Sequence, residues 1–152
     1  MCDVFRVITA PEQLVLTVRK RVKFSELQKG TRSMFEQVGV YMARNGIAIT
    51  GPPIAYYHSW SGGVADMECG YPMAQEDAGE GEVHLLKLPL GRAAMALQRG
   101  SYDLLAGAHE RMEDWIKSKG YTPAPEMWEF FLNDPDFTPE ESLKTQIFWP
   151  MG

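Results

Sequence analysis

The sequence predicts an α+β fold: two β-β-α-β-β units related by pseudo-twofold symmetry, with an antiparallel sheet saddle, both helices on one face and a ligand groove on the other. Three observations lead to it. The chain has 152 residues, the size of one domain. Two segments have helical periodicity, and most others read as strands bounded by turn residues. The order of these segments repeats in the two halves of the chain.

The first helix is predicted over about residues 33–45. Ser33 and Glu36 have the spacing of a capping box, and Gly46 can end the helix in the left-handed conformation. One stripe of the helix is apolar and consists of Met34, Phe35, Val38, Tyr41 and Met42.

The second helix is predicted over about residues 102–119, with Ser101 before its first turn and Gly120 after its last. Its inward stripe consists of Leu104, Leu105, Ala108, Met112, Trp115 and Ile116. Charged residues occupy the opposite face, which predicts an amphipathic helix packed on a sheet.

The remaining periodic segments predict eight strands. They cover residues 4–8, 14–24, 53–60, 64–73, 82–90, 93–98, 126–133 and 143–149. The polar segment 74–81, rich in Glu, Gly and Ala, is predicted to link the two halves.

The repeat is read from matching segments. A proline-led aromatic strand follows each helix, at 53–58 and at 125–130, and each half ends on an aromatic-Pro-Met sequence, at 71–73 and at 149–151. We therefore expect one domain, 1–152, with repeat halves at about 1–73 and 82–152. Pairing of the two halves would leave a groove between them, and small ligands tend to bind in such grooves.

Composition excludes several classes of function. The net charge of −5 argues against nucleic-acid binding, and the basic run at 19–23 is expected to be the solvated face of a strand whose Leu14, Leu16, Val18, Val22 and Phe24 point the other way. The only cysteines, Cys2 and Cys69, indicate no disulfide framework. No apolar run has the length of a membrane span. We expect a cytoplasmic protein without membrane contact.

Glu129 is the strongest candidate for a functional residue. It interrupts an aromatic strand in which Trp128, Phe130 and Leu132 share one face and Met127, Glu129 and Phe131 the other. If the Trp128 face packs on the helices, Glu129 points into the groove, where it either stays protonated or awaits a cationic partner. The alternative is an edge-strand glutamate facing water.

Tyr57 is the predicted counterpart of Glu129, because the alignment of Pro53 with Pro125 sets the two at equivalent positions. A phenol and a carboxyl group could together hold a ligand atom or a water molecule. The alternative is that Tyr57 only packs, with its hydroxyl group at the surface.

Further aromatic and thioether side chains are candidate walls of the groove, although most such side chains in a small domain belong to the core. They are Trp60, Met67, Tyr71, Met127, Phe131 and Trp149. His58, His84 and His109 are scattered, and no zinc, phosphate-loop or nucleophile motif occurs, so no metal or cofactor is expected.

Three segments, in this order and spacing, resemble one known family. They are Leu88-Pro89-Leu90-Gly91-Arg92-Ala93 with Arg99-Gly100-Ser101-Tyr102, then Trp128-Glu129 with Asn133-Asp134-Pro135, and finally 145–151. The chain is similar over nearly its whole length to the GyrI-like small-molecule-binding domains, the effector-binding domains of the gyrase-inhibitory-protein type.

The resemblance implies a duplicated α/β unit, with a glutamate at the position of Glu129 on the pocket floor that faces aromatic lipophilic cations. We expect a stand-alone member, because the first strand begins at Val4 and leaves no room for a winged helix. Such members resemble ligand-sequestering proteins, gyrase modulators or hydrolases. The hydrolases open the strained cyclopropane of DNA-alkylating natural products and so protect against genotoxins. Gln146 stands where many members carry Glu, so a second acidic role there is in doubt.

Three functions follow as alternatives. In the first, Glu129 binds a cationic organic molecule without turnover. In the second, a metal-free hydrolase uses Glu129 as acid or base while Tyr57 orients the substrate. The third, a protein that binds a partner such as a topoisomerase, has less support.

Overall fold

The computed structural model describes residues 4–152 as an α+β fold of antiparallel strands and two α-helices, as the sequence predicts. The elements are β1 (Phe5–Ala10), β2 (Gln13–Lys23), α1 (Leu27–Arg44), β3 (Ile54–Ser59), β4 (Val64–Pro72), β5 (Gly79–Glu80), β6 (Val83–Leu88), β7 (Gly91–Arg99), α2 (Leu105–Ser118), β8 (Met127–Phe131) and β9 (Lys144–Pro150). The chain forms two compact units. The first unit is Pro11–Leu90, and the second unit is Gly91–Gly152 with the segment that ends at Ala10.

The sheet of the first unit has the strand order β5-β6-β2-β4-β3, with every pair antiparallel. Helix α1 covers one of its faces, where the ring of Phe35 lies 5.6 Å from the ring of Tyr71 on β4. Because side chains alternate along a strand, Met67 and Tyr71 share this helix-bearing face, and Glu68 lies on the other.

The sheet of the second unit has the strand order β1-β7-β9-β8. Phe5, Ala96, Ile147 and Glu129 pair across it in one row, so their side chains share a face. Helix α2 covers that face, where the ring of its Trp115 lies 5.6 Å from the ring of Phe5. The row under α2 therefore includes a carboxylate.

Apart from β5, the strands of the two units have corresponding orders, β6-β2-β4-β3 and β1-β7-β9-β8. β1 and β6 each pair with a strand that lies far from them in the sequence, β1 with β7 and β6 with β2. The segment 74–81, predicted to be a linker, contains β5, whose Gly79 and Glu80 pair with β6. The duplication, its pseudo-twofold symmetry and its boundaries near 73 and 82 stay predictions.

Helix α1 begins earlier than predicted, at Leu27, after a 3-10 turn over Phe24–Glu26. Ser33 therefore lies inside the helix and caps nothing, so the predicted capping box is wrong. A side chain at Gly30 would come 2.7 Å from the Cγ1 atom of Val22 on β2, so glycine allows this early turn to pack closely on the sheet. Gly46, at φ 63°, ends the helix as expected.

Helix α2 agrees with the prediction more closely. The Ser101 side chain accepts a hydrogen bond from the backbone N–H of Asp103, and a 3-10 turn over Tyr102–Leu104 leads into the helix. Gly120, at φ 84°, follows its last turn.

The basic run of β2 is solvated, as expected. Arg19, Lys20, Arg21 and Lys23 are exposed. Arg19 forms two 2.9 Å hydrogen bonds to Asp66, and Lys20 pairs with Glu82. Phe24 was expected to point inward but is 45% exposed, because the strand ends before it. No helix within residues 4–152 is long and apolar enough to cross a membrane.

Candidate functional site

Glu129 is completely buried, at 0% exposure, in the middle of β8. Its Oε2 atom lies 2.7 Å from Nε2 of His109, whose side chain is 15% exposed and belongs to α2. The alternative of a water-facing glutamate is therefore wrong. The carboxylate is held between a strand and a helix.

The other carboxylate oxygen, Oε1 of Glu129, is also buried and has no hydrogen-bond partner among residues 4–152. Leaving a buried acceptor unpaired costs about 1–3 kcal/mol, and more if the group is charged. A buried oxygen without a hydrogen-bond partner therefore lowers the stability of the fold rather than raising it. It can accept a hydrogen bond from a donor, or interact with a positive charge, that reaches it.

Tyr102, in the 3-10 turn before α2, is a further candidate residue of this site. Burial raises its pKa, and the negative charges of Asp134 and Glu129 raise it further. Its ring meets that of Phe131 edge to face, with centroids 5.4 Å apart. The site thus combines an acid, an imidazole, a phenol that stays protonated and an aromatic face.

The loop after β8 is fixed at its base by Asn133. The Nδ2 atom of Asn133 donates to the Ser142 carbonyl oxygen at 2.9 Å, and its Oδ1 atom accepts from the Lys144 N–H at 3.0 Å. Within the loop, Asp134 Oδ1 accepts the N–H of Asp136 at 2.8 Å. These bonds hold the backbone that carries Asp134, one of the charges that act on Tyr102.

The orientation of Glu129 differs from the expectation. Met127, Glu129 and Phe131 do share a face, but that face carries α2 rather than an open groove. On the other face, Trp128 stacks on Phe148 with centroids 6.1 Å apart. Both faces of β8 are rich in apolar residues, so alternation alone did not show which one the helix covers.

Four predicted site residues lie in the second unit with His109: Met127, Glu129, Phe131 and Trp149. Met127 is fully buried, and Trp149 donates its Nε1–H to the Ala124 carbonyl oxygen at 2.8 Å. Trp149 shares the face of Glu129, because it lies two residues after Ile147 on β9.

The other four lie in the first unit: Tyr57, Trp60, Met67 and Tyr71. Tyr57 pairs with Met67 and therefore shares the face that carries α1, and its ring meets Trp60 edge to face at 6.2 Å. Met67 is fully buried and Tyr71 packs on Phe35. That these four contribute to a site with Glu129 stays a prediction.

His109 and Tyr102 are candidate functional residues that the sequence analysis did not propose. His109 had one usable signal: it lies on the apolar stripe of α2, four residues after Leu105 and three before Met112. A histidine at such a position needs a polar partner on the strand beneath it. Tyr102 was noted only as part of a motif, since nothing local ties it to residue 129.

A second buried carboxylate, Glu68 on β4, was also missed. It is 3% exposed and accepts hydrogen bonds from Thr17 Oγ1 at 2.6 Å, His58 Nε2 at 2.5 Å and His84 Nε2 at 2.6 Å. Burial alone would raise the pKa of Glu68, but these hydrogen bonds outweigh burial and lower it below its ordinary value. Both of its oxygens are satisfied.

Metal and thiol chemistry have no support in the part of the chain that the structure describes. His, Cys, Asp and Glu form no cluster of three or more there that could hold a metal ion. Cys69 is buried, and Cys2 lies outside the described residues.

Comparison with known proteins gives a family and a fold. The model of the GyrI-like small molecule binding domain matches residues 4–151. No curated protein matches the sequence.

Three solved structures illustrate the likeness. The cryo-EM structure of EcmrR in a DNA complex is 20% identical with a TM-score of 0.84, over 98% of this chain and 57% of that one, so the chain spans just over half of EcmrR. A hydrolase from Listeria innocua is 14% identical, with a TM-score of 0.67, over 97% and 91%. SAV2435 bound to tetraphenylphosphonium is 9% identical, with a TM-score of 0.66, over 98% and 94%. At these identities the likeness concerns the fold.

Proposed function

Because the chain belongs to the GyrI-like small molecule binding domain family, we propose that it binds small aromatic, lipophilic or cationic organic molecules, with Glu129 as the acid that holds them. The observation that carries the proposal is the buried Oε1 atom of Glu129, which has no partner among residues 4–152. A ligand that supplies a positive charge or an N–H group there compensates the buried acceptor.

The surroundings of Glu129 suit an aromatic cation. Phe131 lies on the same face of β8 as Glu129, its ring meets that of Tyr102, and aromatic faces attract delocalised cations. The phenol of Tyr102 can also donate a hydrogen bond. Since Glu129 itself is 0% exposed, a ligand reaches it only when the cover that includes α2 shifts. This requirement favours ligands that gain apolar contacts as they enter.

Calorimetric titration with tetraphenylphosphonium, the ligand bound to SAV2435, tests the proposal. Glu129→Gln keeps the shape of the side chain and removes its charge. We expect it to weaken tetraphenylphosphonium binding at least about tenfold, or about 1.4 kcal/mol. It should change the binding of neutral triphenylphosphine oxide far less.

Glu110→Gln is the matched control, because Glu110 is an exposed acid next to His109 and its substitution removes the same charge. It should leave both affinities unchanged. Equal losses for the cationic and the neutral probe in Glu129→Gln would contradict the proposal, since the acid would then not act through its charge.

A second candidate function is hydrolysis of a strained cyclopropane. The observation that favours it is the Glu129–His109 pair, in which a carboxylate 2.7 Å from an imidazole can share and transfer a proton. One of the similar structures is also that of a hydrolase. In this reaction the oxygen of water bonds to a ring carbon and releases one proton to the Glu129–His109 pair, the ring C–C bond breaks, and its electron pair takes up a proton from the pair.

Mass spectrometry tests the hydrolase. A cyclopropane-bearing alkylator incubated with the protein should gain the mass of one water, and Glu129→Gln should abolish the gain. If the substrate binds but its mass stays unchanged over many hours, the hydrolase is excluded and the binding function stands.

A further inference from the structure

The contact between His109 and Glu129 bears on which ligands the site accepts. The Nε2 atom of His109 lies 2.7 Å from Oε2, on one side of the carboxylate, while Oε1 has no partner among residues 4–152. The imidazole therefore contacts one of the two carboxylate oxygens with which a cationic ligand would interact. Any charge on the imidazole acts at hydrogen-bond distance on that acid.

The net charge of the pair depends on how many protons it holds. With an ionised carboxylate and a neutral imidazole that donates Nε2–H, the pair carries one negative charge. One further proton makes the pair neutral, whichever residue binds it. Imidazole is the side chain that ordinarily changes charge between about pH 5 and about pH 8.

We propose that His109 determines the charge specificity of the site: its protonated form acts as an internal cation on Glu129, and the site selects organic cations only when this proton is absent. The inference rests on the proposed function and adds to it a named residue and a direction of regulation. By linkage, a bound cation must expel the proton to the same extent that the proton excludes the cation.

The pH response of other titratable groups must be distinguished from that of this pair. The charge of Glu129 acts on Tyr102, and so does that of Asp134 in the loop after β8. On α2 itself, Glu110 is exposed and Glu113 pairs with Lys117 at 3.0 Å. None of these five residues is an imidazole, the side chain that His109→Gln removes.

Two probes of the same shape and opposite, permanent charge test the proposal: tetraphenylphosphonium and tetraphenylborate. Their affinities for the full chain are measured by calorimetry at about pH 5.5 and about pH 8. In the wild type, acidification should weaken binding of the cation and strengthen binding of the anion. The ratio of the two affinities should change about tenfold, within the usual range for coupled sites.

His109→Gln keeps a neutral N–H donor on the helix and removes the proton site. Its ratio of affinities should change less than about threefold over the same pH range, and near pH 5.5 it should bind tetraphenylphosphonium more tightly than the wild type does. His84→Gln is the matched control, because His84 also contacts a buried glutamate, but in the first unit. It should keep the pH dependence of the wild type.

Proton release gives a second readout that needs no variant. Titrations near pH 6, in two buffers of different ionisation enthalpy, should show that tetraphenylphosphonium binding releases protons and that tetraphenylborate binding takes them up.

The same pH dependence in wild type and His109→Gln, with no proton release, overturns this inference while leaving the proposed function intact. Failure of tetraphenylphosphonium to bind at any pH, or equal binding to Glu129→Gln, overturns the proposed function as well.

Discussion

Two buried carboxylates of this protein have opposite surroundings. Glu68 accepts hydrogen bonds from three side chains, so both of its oxygens are compensated within the first unit. Glu129 is compensated at one oxygen by His109 and carries no partner at the other among the described residues. A half-satisfied buried acid lowers stability, so this difference is the one expected if Glu68 is structural and Glu129, as proposed, binds a ligand.

The first prediction concerns stability. Glu68→Gln places an amide N–H₂ group where Thr17, His58 and His84 already donate, so we expect a loss of about 2–4 kcal/mol in the free energy of unfolding. Glu129→Gln should change it by less than about 1 kcal/mol, because fewer hydrogen bonds are lost. Urea unfolding of the two variants measures both values. A larger loss in Glu129→Gln would contradict these assignments.

The second prediction concerns pH. The pKa of Glu68 is lowered in the folded state from its ordinary value of 4.5. The unfolded chain therefore binds a proton at Glu68 before the folded chain does, and the stabilisation is complete above about pH 4.5 and is lost as the pH falls through the folded pKa. Urea unfolding from pH 7 to pH 3 should show a steeper loss in the wild type than in Glu68→Gln. Identical slopes would show that Glu68 does not contribute.

Sequence reasoning found Glu129 because a charged residue inside an aromatic strand is visible locally. It could not find His109 as its partner, since a contact across 20 residues depends on how the helix lies on the sheet. Glu68 was less visible still: its partners Thr17, His58 and His84 come from three different strands. Only strand pairing brings such residues together.

At the scale of elements, helix positions were predicted well where apolar periodicity was strong. They were predicted poorly where tertiary packing determines where the helix begins. Residues 28–32 of α1 include Gly30 and Thr31, weak helix formers with no apolar stripe, yet they are helical. Gly30 lets this turn approach Val22 closely enough to bury it at 7% exposure. Tertiary packing there outweighs local propensity, so the predicted start at Ser33 came too late.

The third prediction tests such a close approach between strands. A methyl group at Gly70 on β4 would overlap the carbonyl oxygen of Leu16 on β2. Because backbone atoms at the centre of a sheet cannot move aside easily, Gly70→Ala should cost about 3 kcal/mol or more. Gly91→Ala on β7 is the control, since a side chain there meets nothing within 4 Å. Similar unfolding midpoints for both variants would contradict the strand packing.

At the scale of the whole chain, the α+β class and most strands were predictable because they depend on periods of two and 3.6 residues. The grouping of strands was not, because β1 pairs with β7 across about half of the chain, as Phe5 with Ala96 shows. The position of Glu129 under α2 was also not predictable from the sequence, because both faces of β8 are rich in apolar residues. Local pattern determines the elements, and long-range pairing determines the site.

The last prediction links the site to the stability of the chain. A ligand that binds only the folded state adds about 2.7 kcal/mol at 100 times its Kd, which for a chain of this length raises Tm by about 8 °C. Tetraphenylphosphonium at that concentration should produce this shift in the wild type, measured by differential scanning calorimetry. In Glu129→Gln, with affinity weakened about tenfold, the same concentration adds about 1.4 kcal/mol and the shift falls to about 4 °C. Equal shifts in the two proteins would mean that the cation binds elsewhere, because stabilisation by a ligand follows its affinity.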